Sequence, residues 1–222
     1  MSAFGAVRPP SSPGARADLG RLHVLTDASG GRAALDAVAA ALAAGAPVVQ
    51  VRRKACTDRE LHDFAARVVA ACATVGATCL VNDRVDVALA VGAAGTHLGA
   101  DDLPVAAARR VAGPHHLLGG TARDPGRARE LVAAGADYLG VGPAYATTTK
   151  TGLPDPLGPA GVGAVAAAVD VPVIAIGGVT ADRVGELVAA GAAGVAVVGA
   201  VSGAPDPAAA TRQLLRELAR QR

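Results

Sequence analysis

The chain has 222 residues, 51% of them hydrophobic and 2% aromatic, with a formal net charge of +2 from acids and bases spread along its length. Such a chain can bury an aliphatic core in one domain, and the lack of a dense basic tract argues against nucleic acid as a partner. Glycines, prolines and charges break every apolar run before about 18 residues, so no membrane span is expected, and three cysteines without C-x-x-C spacing imply neither disulfides nor zinc but a reduced, cytoplasmic setting.

Residues 1–20 carry Pro9, Pro10 and Pro13 among Ser, Gly and Ala, with no apolar stretch after a basic start. They are expected to form a flexible leader rather than a signal peptide, with residues 21–222 forming the domain. From Leu22 onward, β-rich runs alternate with Ala- and Leu-rich stretches charged at helical spacing. Strands are expected at 22–26, 47–52, 78–81, 95–98, 116–119, 138–141, 171–175 and 195–198. Helices are expected at 32–44, 58–75, 85–91, 104–111, 125–134, 159–169, 181–190 and 206–220. Three of the helices end alike, with Gly45, Gly135 and Gly191 each following a pair of alanines, where a glycine stops a helix. Eight strand–helix pairs predict a single-domain (β/α)8 TIM barrel. An open doubly wound sheet is the alternative, but no G-x-G-x-x-G follows the first strand.

In such a barrel the chemistry collects at the C-terminal ends of the strands. The second strand places Gln50, Arg52 and Lys54 on one face and Val49 and Val51 on the other. Arg53 and Lys54 read equally as a solvated loop, whereas Gln50 and Arg52 lie inside the strand and are expected to point into the barrel mouth, where a guanidinium holds phosphate oxygens. The third strand ends in Asn82-Asp83-Arg84, and the fourth leads into Asp101 and Asp102. Each of these carboxylates also stands where the next helix needs a cap, but their place on neighbouring strand ends weighs towards magnesium, which takes one or two carboxylates plus phosphate oxygens.

After the sixth strand, Thr147, Thr148, Thr149 and Lys150 form either an anion-wrapping loop or a threonine-rich turn. Gly177 and Gly178 after the seventh strand, and Gly199 after the eighth, stand where many barrels bind phosphate through main-chain N–H groups. His97 reads as a local hydrogen-bonding residue, and His115 and His116 stand at a strand entrance away from the site.

Together, Q-V-R-R-K, N-D-R, H-L-G-A-D-D, G-V-G-P-A-Y-A-T-T-T-K and A-I-G-G-V resemble the thiamine phosphate synthase family in order and spacing, over roughly residues 22–200. The resemblance implies coupling of hydroxymethylpyrimidine diphosphate to a thiazole phosphate, with magnesium, to give thiamine phosphate and diphosphate. It assigns Gln50, Val51, Arg52, Arg53, Lys54, Asn82, Thr121 and Lys150 to the pyrimidine diphosphate, and Asp83 and Asp102 to magnesium. Thr147, Thr148, Thr149, Gly178, Val198 and Gly199 fall to the thiazole phosphate. Arg52, Lys150 and Thr121 become the catalytic set, neutralising the leaving diphosphate without a protein nucleophile. Three positions depart from the family pattern: Thr121 and Gly199 stand for serines, and Ala100 for a glutamine.

A thiazole tautomerase on the same fold is the rival enzyme, opposed by the intact Thr147–Lys150 segment and by the lack of any histidine after His116. A non-catalytic phosphate-ligand sensor is the other alternative, and it has no use for the Asp83 and Asp102 pair. Self-association is expected only as a general habit of such barrels.

Overall fold

The computed structural model describes residues 19–26, 30–149 and 152–221; of the expected leader, only residues 19 and 20 fall within them. The strands are β1 (Leu22–Leu25), β2 (Val48–Val51), β3 (Thr78–Asn82), β4 (Gly95–Leu98), β5 (Leu117–Ala122), β6 (Tyr138–Val141), β7 (Val173–Ile176) and β8 (Gly194–Val197). They pair in parallel in chain order, and β8 closes on β1. The helices are α1 (Gly31–Ala43), α2 (Asp58–Val75), α3 (Val85–Ala90), α4 (Val105–Ala112), α5 (Pro125–Ala133), α6 (Gly158–Ala166), α7 (Val184–Ala189), α8 (Gly199–Ser202) and α9 (Pro207–Arg220). The chain therefore forms the expected (β/α)8 barrel, and no helix among the described residues is long and apolar enough to cross a membrane.

Strand periodicity sorts the side chains into two layers. Val49, Val51, Cys79 and Val81 face out against α1, α2 and α3, while Leu25, Val48, Leu80, Leu117, Tyr138, Ile174 and Ala196 fill the barrel interior. α2 opens on a capping box in which the Thr57 side chain accepts from the Glu60 N–H and Glu60 accepts from the Thr57 N–H. The glycines that were expected to stop α1, α5 and α7 do so in left-handed geometry, with φ of 92° at Gly45, 101° at Gly135 and 112° at Gly191.

Some boundaries differ from expectation for local reasons. β5 continues past Gly119 to Ala122, because Gly119 and Gly120 are strand residues chosen for space: a Cβ on Gly119 would stand 2.2 Å from the Tyr138 ring. β7 starts at Val173 rather than Val171, since Pro172 has no N–H to give the ladder. The expected helix 181–190 divides into a 3-10 turn, Ala181–Arg183, and α7, and the short α8 was not expected.

Candidate active site

A cavity of about 820 Å³ opens at the C-terminal ends of the strands. β2 supplies Gln50, Arg52 and Lys54 to it, as the alternation of its side chains predicts. Gln50 is buried. The main chain of Arg52 is clamped by Thr26, whose Oγ1 accepts from the Arg52 N–H at 2.8 Å and donates to its carbonyl at 2.9 Å. The guanidinium is less settled: its Nη1 is buried and has no hydrogen-bond partner among the described residues. A buried donor without an acceptor is costly, and an anion entering the cavity would satisfy it.

Two members of the expected Gln50–Lys54 segment turn the other way. The Val51 side chain is fully buried against the outer helices, and Arg53 lies 5.6 Å over the Phe64 ring while donating to the Glu60 carbonyl at 2.9 Å. Their side chains are on the opposite face of β2 from the cavity, a correction that follows from the same two-residue period.

Beside β2, after β3 and β4, stand the carboxylates. Asp83 has φ of 67°, a conformation rare for a residue with a Cβ, and its carboxylate accepts from Lys54 Nζ and from Asn82 Nδ2. Asp102 accepts from the Gly99 N–H at 2.7 Å. Burial, and next a hydrogen bond with Asp83, hold the Asp102 carboxyl above its usual range. The helix-cap alternative fails for all three acids: the residues preceding α3 and α4 are Arg84 and Pro104, and neither helix has a side-chain cap. Among the described residues no group of three or more His, Cys, Asp or Glu comes together as a metal cage; Asp83 and Asp102 are a pair of carboxylates lining the same cavity.

His97 corrects the sequence reading. It lines the cavity, with Nε2 3.0 Å from Thr121 Oγ1 and Nδ1 3.1 Å from the Tyr138 hydroxyl. Its burial lowers its pKa to about 4, so it is neutral near pH 7. Register carried the missed signal, since β3 pairs Asn82 with His97 and both therefore face inward. His116 behaves as expected, bonded to Thr96 at 2.9 Å away from the cavity.

Thr147, Thr148 and Thr149 line the far wall with Gly178, Val198 and Gly199. Gly178 must be glycine: its φ is 62°, and a Cβ there would stand 2.5 Å from the Ala146 carbonyl. Gly199 has room, its nearest neighbour being Thr149 Oγ1 at 4.0 Å from an added Cβ. Arg183 was not foreseen. It donates to the Gly178 carbonyl at 2.6 Å and stacks 4.3 Å over the Tyr145 ring, at the cavity edge. It was expected inside a helix, and only the 3-10 turn before α7 brings it to the cavity. Lys150 lies outside the described residues.

The sequence profile of the thiamine monophosphate synthase family matches residues 22–201. A thiamine-phosphate synthase of Salinispora tropica is 63% identical over 203 residues, covering 90% of this chain and 98% of that protein. A thiamine-phosphate synthase of Moorella thermoacetica is 44% identical over 199 residues, covering 90% of this chain and 95% of that one. Among solved structures, the thiamine phosphate pyrophosphorylase from Pyrococcus furiosus superposes with a TM-score of 0.83 at 34% identity, over 90% of this chain and 96% of that one.

Proposed function

The chain belongs to the thiamine monophosphate synthase family and is a transferase acting on small molecules, and from the cavity's layout we propose how it joins hydroxymethylpyrimidine diphosphate to thiazole phosphate. The observation that carries the reading is the buried, unpartnered Nη1 of Arg52 beside Lys54 and the Asp83–Asp102 pair. Cations and carboxylates side by side suit a diphosphate that arrives with a divalent ion.

The diphosphate is bound by Arg52, Lys54, Asn82, Thr121 and Lys150, and the pyrimidine lies over Gln50. The donor set fits magnesium, since hard oxygen ligands in twos leave room for phosphate oxygens and water. Asp83 and Asp102 would hold the ion, which supplies charge neutralisation for the departing diphosphate. Thr147, Thr148 and Thr149, with the main chain at Gly178, Val198 and Gly199, bind the thiazole phosphate on the opposite wall, where glycine lets backbone N–H groups approach an anion.

The reaction breaks the bond between the pyrimidine methylene carbon and the diphosphate oxygen, and the electron pair leaves with the diphosphate. The thiazole nitrogen gives its lone pair to that carbon, forming the C–N bond of thiamine phosphate. Arg52, Lys150 and the Thr121 hydroxyl meet the charge that grows on the leaving oxygens. No side chain need act as nucleophile, because holding the two substrates face to face supplies the advantage of proximity. The three cysteines are free, and a cytoplasmic setting is part of this reading.

The test is turnover: purified protein, both substrates and magnesium, with thiamine phosphate and diphosphate followed together, and a chelator arm. Product formed in equal amounts and stopped by the chelator supports the reading. Rearranged thiazole without coupling would replace it with a tautomerase, and binding without product would replace it with a sensor.

A further inference from the structure

Thr121 reaches the cavity at the end of a line of polar groups that crosses the barrel interior. Tyr138 of β6 is 1% exposed, and its hydroxyl lies 3.1 Å from His97 Nδ1 of β4. The other ring nitrogen of His97, Nε2, lies 3.0 Å from Thr121 Oγ1 of β5. Behind Tyr138, His23 of β1 sets its ring edge-on to the phenol at 5.6 Å and 61°, and donates from Nε2 to the Leu19 carbonyl at 2.9 Å.

The direction of the line follows from counting protons. A carbonyl only accepts, so the Nε2 proton of His23 is committed to Leu19, and His23 meets Tyr138 by ring packing. Among the described residues, the hydrogen-bond partner of the Tyr138 hydroxyl is His97. A buried phenol donates its proton where it has an acceptor, so His97 Nδ1 accepts. A neutral imidazole carries one N–H, which is then on Nε2 and donates to Thr121 Oγ1. With that oxygen accepting from behind, the Thr121 proton is left to point forward into the cavity. The opposite tautomer would make Thr121 donate to His97 and turn oxygen lone pairs towards an incoming anion. Both ring nitrogens of His97 meet hydroxyls and the Tyr138 phenol is buried, surroundings that suit the neutral forms this ordering needs.

We propose that Tyr138 and His97 are positioning residues that orient the Thr121 hydroxyl as a donor to the leaving diphosphate. The proposal rests on the reading of Thr121 as a diphosphate contact. It gives the histidine a task other than proton transfer, and it explains why a buried phenol stands behind a cavity-lining imidazole in an otherwise aliphatic barrel.

Two measurements test it. In the wild-type protein labelled with 15N-histidine, with His97 assigned through His97→Gln, long-range proton–nitrogen spectra are expected to show the His97 proton on Nε2; a proton on Nδ1 overturns the proposal. In the full synthase reaction, Tyr138→Phe keeps the ring and is expected to lower kcat roughly tenfold, the worth of one hydrogen bond, with the KM for thiazole phosphate unchanged. Combined with Thr121→Ala, Tyr138→Phe is expected to add less than about twofold, because its effect passes through the hydroxyl already removed. A full, independent tenfold loss in the double variant overturns the positioning role. Full turnover by Thr121→Ala would instead remove the diphosphate reading on which the proposal stands.

Discussion

Lys54 and Asp83 meet across the mouth of the barrel, the ammonium from beyond β2 resting on the carboxylate at the end of β3. The lysine is half exposed at 52% and the aspartate is not, at 19%, so the pair holds a cation on Asp83 that solvent can reach and exchange. In the proposed reading a divalent ion held by Asp83 and Asp102 would free that ammonium for the diphosphate. Asp83→Asn and Asp102→Asn are each expected to raise the magnesium needed for half-maximal rate by at least about tenfold, the effect of removing one of two charged ligands. Magnesium titrations of turnover check this, and an unchanged midpoint in both variants would contradict the metal assignment.

Arg52 places function ahead of stability. A buried donor without a partner costs about 1–3 kcal/mol, so Arg52→Leu is expected to melt no lower than the wild type. The same variant is expected to lose at least about 100-fold in kcat/KM, or about 3 kcal/mol of charge-assisted bonding. Thermal melts with and without magnesium diphosphate check both halves: the ligand raises the wild-type Tm and leaves the variant's unchanged. A variant that is both less stable and still stabilised by diphosphate would contradict the assignment.

Three histidines make stability depend on pH. Burial lowers the pKa of His23 and His97 to about 4, and lowers that of His116, against about 6.5 in the unfolded chain. The unfolded state therefore binds more protons between these values, and stability rises with pH. The contribution of His23 and His97 is whole above about pH 6.5 and is lost as pH falls through about 4, and that of His116 falls in the same direction. Between pH 6.5 and 5 ordinary carboxylates remain ionised, and Asp102, whose carboxyl is held above its usual range, slopes the opposite way, so a fall on acidification reports the histidines. Urea midpoints across that window are expected to fall steadily with acidification, and a flat profile would contradict the buried neutral state.

Gly119 tests the packing around His97. A Cβ there would stand 2.2 Å from Tyr138 Cζ and 2.5 Å from His97 Nδ1, so Gly119→Ala is expected to cost about 1–3 kcal/mol as overpacking. Urea unfolding measures it, and a midpoint equal to the wild type's would show that the interior yields more than this geometry allows.

Gly199 tests the thiazole phosphate wall in the opposite direction. An added Cβ would have Thr149 Oγ1 at 4.0 Å as its nearest neighbour, so Gly199→Ser is expected to change stability by less than about 0.5 kcal/mol. One new hydroxyl donor is expected to lower the KM for thiazole phosphate by roughly fivefold. An unchanged or higher KM would place the phosphate elsewhere.

Most of the frame was readable before any coordinates, because a barrel repeats one unit: strand, helix, then a glycine such as Gly45, Gly135 or Gly191 in left-handed geometry. The period of two in β2 likewise located Gln50, Arg52 and Lys54 in the cavity. What escaped depends on neighbours distant in sequence. β5 was expected to stop at Gly119, and its continuation through Gly120 escaped because the neighbours that leave room for glycine come from elsewhere, the Tyr138 ring of β6 at Gly119 and the Leu131 side chain of α5 at Gly120. His97 looked local because its partners, Thr121 and Tyr138, come from β5 and β6. Arg183 reaches the cavity only through a 3-10 turn that an even helical pattern conceals.

This cavity couples a pyrimidine diphosphate to a thiazole phosphate. The most direct test of that coupling is a single-turnover experiment with wild-type and Arg52→Ala protein, quantifying thiamine phosphate and diphosphate in the presence of magnesium. Equal amounts of both products are expected from the wild type, with a rate lower by at least about 100-fold in the variant. Folded wild-type protein that forms neither product, or a variant as fast as the wild type, would contradict it.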